Sequence, residues 1–221
     1  MRRVTKIVLM VTAAFSAATS ASQAQSITNG SMSGACANGS SPSGWSDQLG
    51  SPDVVDLACN VGFGGLTFAA PASASPDGGA WAGIAREGTG FIERFGQTVA
   101  GFVVGQSYTL SWYVSNFGYD GGFGYTNPNQ IEFLLNGVSA GTGSVRSNGT
   151  GWFAESVIFI ATAASHDIAF QLGSGNKSYM GIDGVTLAAT GSEVVPEPAT
   201  MTLLATGLAG MAAARRKKRN A

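Results

Sequence analysis

The chain has 221 residues, 12 basic and 13 acidic, for a formal charge of −1, but eight of the bases lie in its first six and last seven residues. The stretch 25–198 keeps only Arg86, Arg94, Arg146 and Lys177 against all thirteen acids, a charge of −9, which excludes a nucleic-acid binder because phosphate backbones demand clustered cations. One histidine and two cysteines cannot supply a four-ligand zinc site, and the roughly 165 residues between the ends suit one domain with one core.

The N-terminal stretch carries Arg2, Arg3 and Lys6, then a small and apolar segment from Ile7 to Ala18, then Ser22-Gln23-Ala24 before Gln25. Basic, apolar and small-residue regions in that order make residues 1–24 a secretory signal peptide, cut between Ala24 and Gln25. The chain is therefore handed to the export machinery. In an oxidising compartment Cys36 and Cys59 read as a disulfide, which stabilises by about 3 kcal/mol when its loop closes without strain. Asp47, Asp53 and Asp56 beside it read as a solvated acidic loop.

No helical periodicity appears between residues 25 and 190, while short alternating runs end in Gly, Asn or Pro. A strand is expected over 97–104. The run 108–115 places Tyr108, Leu110, Trp112 and Val114 on one face and Thr109, Ser111, Tyr113 and Ser115 on the other. Ile131, Phe133 and Leu135 alternate before Asn136-Gly137, the strongest short hairpin signal. Further strands are expected over 155–161, 166–172 and 180–187, and Gly173 to Ser178 reads as a hairpin turn. The prediction is an all-β, antiparallel jelly-roll β-sandwich over 25–190, followed by a linker over 191–198.

The last segment, 199–221, has an uncharged run from Ala199 to Ala214 and five consecutive bases, Arg215 to Arg219. Its only polar side chains before the bases are Thr200, Thr202 and Thr206, so a helix here would have no face for water. Sixteen residues fall short of the roughly 20 that span a bilayer. The segment is expected as a weak transmembrane helix, held from outside with its bases in the cytoplasm. A short hold after a small polar motif also suits a cleavage signal.

Pro196-Glu197-Pro198, the apolar run and the cluster beginning Arg215-Arg216 resemble the PEP-CTERM sorting signal of Gram-negative bacteria. That resemblance implies an exosortase as processing partner, transient residence in the inner membrane, and delivery to the envelope or matrix, with ties to exopolysaccharide and biofilm. Within the body, Asn29-Gly30-Ser31, Gln97, Gly105 to Leu110, Asn136-Gly137 and Ile182 to Leu187 are similar to the galactose-binding-like sandwich of many carbohydrate-binding modules. The second resemblance implies a structural calcium shared between an acid after the opening motif and the final-strand Asp. Met32 and Ser33 stand at the aromatic and acid positions here, and Asp183 remains. Alternation puts Asp183 on one face with Val185 and Leu187, where it needs either amides or an arginine, or else calcium, which takes six to eight oxygens.

Sugar binding needs aromatic planes beside hydrogen-bonding groups. The 116–127 loop offers Tyr119, Asp120, Tyr125 and Asn127; Tyr113 lies on the polar face of its strand, and Trp81 and Trp152 stand at strand starts. Each has a plain alternative in core or edge packing. His166-Asp167 cannot form a nucleophilic triad, because neighbours in a strand point to opposite faces. Glu87, Glu93, Glu132 and Glu155 leave a glycan-active enzyme open, if two converge. The reading is an exported, non-enzymatic protein that contacts polysaccharide through loop aromatics; a matrix component without a ligand is the alternative.

Overall fold

A computed structural model describes residues 25–59, 67–120, 122–190 and Thr206. The signal peptide with Ala24, the sorting residues Pro196, Glu197, Pro198, Arg215 and Arg216, and the apolar run apart from Thr206 lie outside the described residues. Among the described residues no helix is long and apolar enough to cross a membrane.

Among the described residues eleven antiparallel strands form two facing sheets: β1 (Ser46–Leu49), β2 (Asp53–Val55), β3 (Trp81–Glu87), β4 (Phe91–Ile92), β5 (Arg94–Ala100), β6 (Ser107–Ser115), β7 (Ile131–Leu135), β8 (Val138–Thr142), β9 (Phe153–Ile160), β10 (Ser165–Leu172) and β11 (Ser178–Ala189). One sheet runs β1-β5-β10-β7-β8; the other runs β2-β3-β11-β6-β9, with β4 on β3. The fold is an all-β antiparallel sandwich.

Alternation explains the core. Tyr108, Leu110, Trp112 and Val114 of β6 are all buried in one core with Phe95, Phe133 and Phe170 from the opposite sheet and Phe159 from the neighbouring β9. Trp112 meets Phe170 edge to face at 5.4 Å, a geometry that aromatic pairs favour. Asn136 and Gly137 both take positive φ (54° and 78°), as a two-residue turn between β7 and β8 requires.

Three expectations need correction. The strand expected over 97–104 ends at Ala100, and the following residues turn away. β10 and β11 belong to different sheets, so the 173–177 connection is an arch across the sandwich rather than a hairpin. Asp183 does not share a face with Val185: Gly184 has φ +59° and the β6–β11 register shifts between Asp183 and Thr186, so the bulge turns Val185 into the core and leaves Asp183 on the outer face.

The outer face of the β2-β3-β11-β6-β9 sheet is itself partly covered. Ala82 and Ile84 of β3 point into the main core, while Trp81 and Ala85 join a second cluster with Val55, Phe117, Tyr119 and Tyr179, sealed by Phe68, Tyr125 and Trp152. Segments 67–80 and 116–127 fold over this face, and they build the candidate site.

Candidate functional site

The loop after β6 is closed on itself by paired amide-to-carbonyl bonds between Tyr119 and Tyr125, at 3.1 and 2.9 Å. Asn127 donates its backbone N–H to Lys177 O, tying the loop to the start of β11. This brings Tyr119 and Tyr179 to a ring separation of 4.8 Å. Tyr125 stands beside them with its hydroxyl 3.3 Å from Glu87 Oε2, and Lys177 Nζ lies 4.7 Å from its ring centre and 3.0 Å from the same Glu87.

The three tyrosines wall one side of a cavity of about 200 Å³. Its other walls are Phe91 of β4, Phe123 of the loop and Ala85 of β3, with Asn38, Ser51 and Asp53 from the section held by the disulfide. Cys36 and Cys59 are bridged, with Cα atoms 6.1 Å apart. The Ala37–Val54 amide pair sets β2 against the first half of that loop. Phe91 and Phe123 are exposed, 38% and 57%, and form the rim.

Two carboxyl groups line this cavity. Asp53 Oδ1 accepts Gly39 N–H at 2.8 Å and Oδ2 accepts the Tyr179 hydroxyl at 3.0 Å. Glu93 Oε2 accepts Ala85 N–H at 2.7 Å, and Oε1 faces the Ser51 hydroxyl at 3.4 Å. Burial pushes Glu93 up to about 8, and the neighbouring Asp53 charge adds to the shift. Asp53 is raised by its own burial against the amide and hydroxyl that favour its anion. Desolvation and the same two acids hold the Tyr179 hydroxyl well above its ordinary range.

Of the residues expected to bind sugar, Tyr119 and Tyr125 reach this cavity. Asp120 and Asn127 do not: both are exposed, and the Asn127 amide is turned to Lys177 O. Trp81 is fully buried and stacks against Phe68 at 5.8 Å, so it is a core residue and not a platform. Trp152 is half-buried against Trp81 and Phe117, with its indole N–H donated to Ser73 O. Tyr113 lines a separate, more polar hollow of about 450 Å³ with Ser111, Glu155 and Asp77. Glu155 is occupied by Arg146 at 2.9 Å. Sequence reasoning missed Tyr179 and Phe91, left Asp53 in a solvated loop, and held Glu93 only as an unplaced acid.

Asp183 is completely buried, and burial raises it to about 7, opposed by the Ser75 hydroxyl and the Gly184 amide and reinforced by Asp77. Neither of its oxygens closes a well-aligned hydrogen bond among the described residues. Among the described residues no arginine answers it: Arg86 goes to Leu172 O and Gly88 O, Arg94 to Gln171, and Arg146 to Glu155. Calcium does not fit either, since Asp77 and Ser75 leave the oxygen set well short of six. Among the described residues the single group of three metal-ligating side chains is Cys36, Asp56 and Cys59, two of which are in the disulfide. His166 is a loop staple whose Nε2 receives the amides of Thr162 and Ala163 at 3.1 Å.

Residues 194–218 match the PEP-CTERM protein-sorting motif. No curated protein matches the chain. Similar solved structures include a CBM4 structure, at 17% identity over 75% of this chain and 100% of that one, with a TM-score of 0.42. The CBM22-1 xylan-binding domain of Paenibacillus barcinonensis Xyn10C is 13% identical over 70% and 90%, with a TM-score of 0.41. The arabinose-bound α-L-arabinofuranosidase MgGH51 is 11% identical over 75% of this chain and 26% of that one, with a TM-score of 0.44. None of these scores reaches 0.5, so any ligand must be argued from the geometry of the cavity itself. The chain thus joins a β-sandwich body to a C-terminal PEP-CTERM protein-sorting motif.

Proposed function

We propose that this is an exported envelope or matrix protein, released from the inner membrane by an exosortase, whose sandwich binds polysaccharide without catalysis at the tyrosine-walled cavity. The observation that carries the binding claim is the convergence of Tyr119, Tyr125 and Tyr179 with Asp53 and Glu93 in one cavity. Aromatic planes suit the apolar faces of sugar rings, and carboxyl oxygens suit their hydroxyl rims. The sorting motif supports the route.

Affinity electrophoresis of the purified chain in gels containing the producing organism's own polymer tests this. Retardation is expected, and Tyr125→Ala should weaken it at least fivefold while the far-UV spectrum stays unchanged. Equal mobility with and without polymer removes the binding claim and leaves a matrix component without a ligand. Mass spectrometry of the secreted form tests the route: a mature N-terminus at Gln25 and a C-terminus near Pro198 support it, and secreted protein retaining Arg219 contradicts it.

Two carboxyls in one cavity also suit a glycosidase. Here each carboxyl oxygen already faces a donor from the protein, which favours holding over proton transfer. Release of new reducing ends from a bound polymer, lost in Glu93→Gln, is the result that reverses that preference.

A further inference from the structure

The cavity has an unusual balance of charge. Among the described residues its lining holds two carboxyl groups and no lysine, arginine or histidine. The donors that face Asp53 and Glu93 are all neutral: two amides, one serine and one tyrosine. The nearest bases in sequence are turned elsewhere. Arg94, next to Glu93, gives its guanidinium to Gln171, and Arg86, next to Ala85, gives its own to Leu172 O and Gly88 O. Lys177 reaches Tyr125 from beside Glu87, which neutralises it at 3.0 Å.

An acidic cavity so arranged has an unmet demand for positive charge, and its walls answer the same demand. Tyrosine and phenylalanine rings attract cations through their faces, more strongly where water is excluded. A plain hexose offers only hydroxyls, which neither neutralise the acids nor use that attraction. Resting on the polysaccharide-binding function, we propose that the cavity selects an amino sugar with a free ammonium group, seated between Asp53 and Glu93, with the sugar ring against Tyr125 and Phe123. Burial raises both carboxyls, so a bound ammonium has to draw them into their ionised forms as it enters.

The titrating groups that face the ligand are Asp53 from β2, Glu93 between β4 and β5, Tyr179 from β11, and Tyr119 and Tyr125 from the loop, with Glu87 and Lys177 behind Tyr125. The tyrosines stay neutral near pH 7, so the two acids and the sugar's own amine set the trend. The acids gain charge as the pH rises, with Glu93 the later at about 8, while the sugar loses its ammonium proton around neutrality, so affinity for the ammonium should pass through a maximum. A neutral sugar that accepts a hydrogen bond from protonated Glu93 shows only a fall as the pH rises.

Titration calorimetry of the purified full chain with the β-1,4-linked glucosamine hexamer, its fully N-acetylated counterpart and cellohexaose separates these cases. The glucosamine hexamer is expected to bind at least tenfold more tightly than the other two at pH 7. Glu93→Gln and Asp53→Asn should each reduce that preference to below threefold. Equal or tighter binding of the acetylated or neutral hexamer at pH 7 overturns the amino-sugar assignment and leaves polysaccharide binding intact. Silence toward all three hexamers overturns the amino-sugar assignment, and retardation by the producing organism's own polymer still decides polysaccharide binding; binding of polylysine with no retardation by that polymer overturns both readings. If a variant fails to fold, the wild-type preference at pH 7 decides alone.

Discussion

The Tyr179 hydroxyl lies 3.0 Å from Asp53 Oδ2, and it reaches that oxygen by passing over Gly83 of the strand between them. Tyr179→Phe keeps the ring and deletes the donor. A hydrogen bond to a charged group contributes about 1.5–3 kcal/mol, so urea denaturation at pH 7 should show a loss in that range. The loss should shrink in acid, where Asp53 is protonated.

Gly83 is required for that crossing. A Cβ there would fall on the Tyr179 hydroxyl and its ring carbons. Gly83→Ala should cost about 1–3 kcal/mol, the usual range for overpacking a filled site. It should also change the near-ultraviolet dichroism of the tyrosines and weaken glycan binding, although residue 83 touches no ligand.

Burial raises Glu93 from an ordinary 4.5 to about 8. The folded state therefore holds this proton more tightly than the unfolded chain, so stability is greatest in acid, falls between pH 4.5 and about 8, and levels off above. Asp53 and Asp183 add slopes of the same sign. Thermal unfolding midpoints across about pH 4–9 should follow this descent, and Glu93→Gln should flatten it most between about pH 5 and 7.5.

Asp183→Asn should raise the unfolding midpoint at pH 8, because it removes a buried charge that no cation answers. The gain should vanish below about pH 4, where the native carboxyl is neutral in both folded and unfolded chains. Chelator should leave both proteins unchanged; a drop in the wild-type midpoint alone would return calcium to this site.

The bridge between Cys36 and Cys59 spans 23 positions and fixes the section that carries Asn38, Ser51 and Asp53. Replacing both cysteines by serine should cost about 3 kcal/mol through loop entropy. It should weaken ligand binding more than that loss of folded protein explains, which calorimetry below the unfolding transition would measure.

Much of the sandwich was legible because period-2 alternation is strong where one face meets the core: Tyr108 to Ser115 gave β6, and Asn136-Gly137 gave the β7–β8 turn. The same rule failed at Asp183, since a bulge is one residue out of phase and leaves only a glycine as its mark. It also misjudged Trp81. A strand buried on both faces has no alternation to read, and its outer cover comes from loops distant in sequence.

The site was legible only in part. Tyr119 and Tyr125 stood out because aromatics in a Gly-rich loop are conspicuous. Asp53, Glu93 and Tyr179 come from three strands or their ends, far apart in the chain; the β2-β3-β11 order joins Asp53 to Tyr179, and the pairing of β4 with β3 brings in Glu93. That order is a tertiary fact with no local signal.

β11 has Tyr179 near its first residue and delivers the chain to Thr190 at its other end. At about 3.3 Å per residue, the ten steps from Tyr179 to Ala189 cover roughly 30 Å, so this strand is a stiff strut whose far pole leads into the sorting peptide. The strand therefore puts a wall of the candidate cavity and the last described residue before the sorting peptide at opposite ends of one continuous segment, so a cut made in that peptide leaves the tyrosine wall a full strand away.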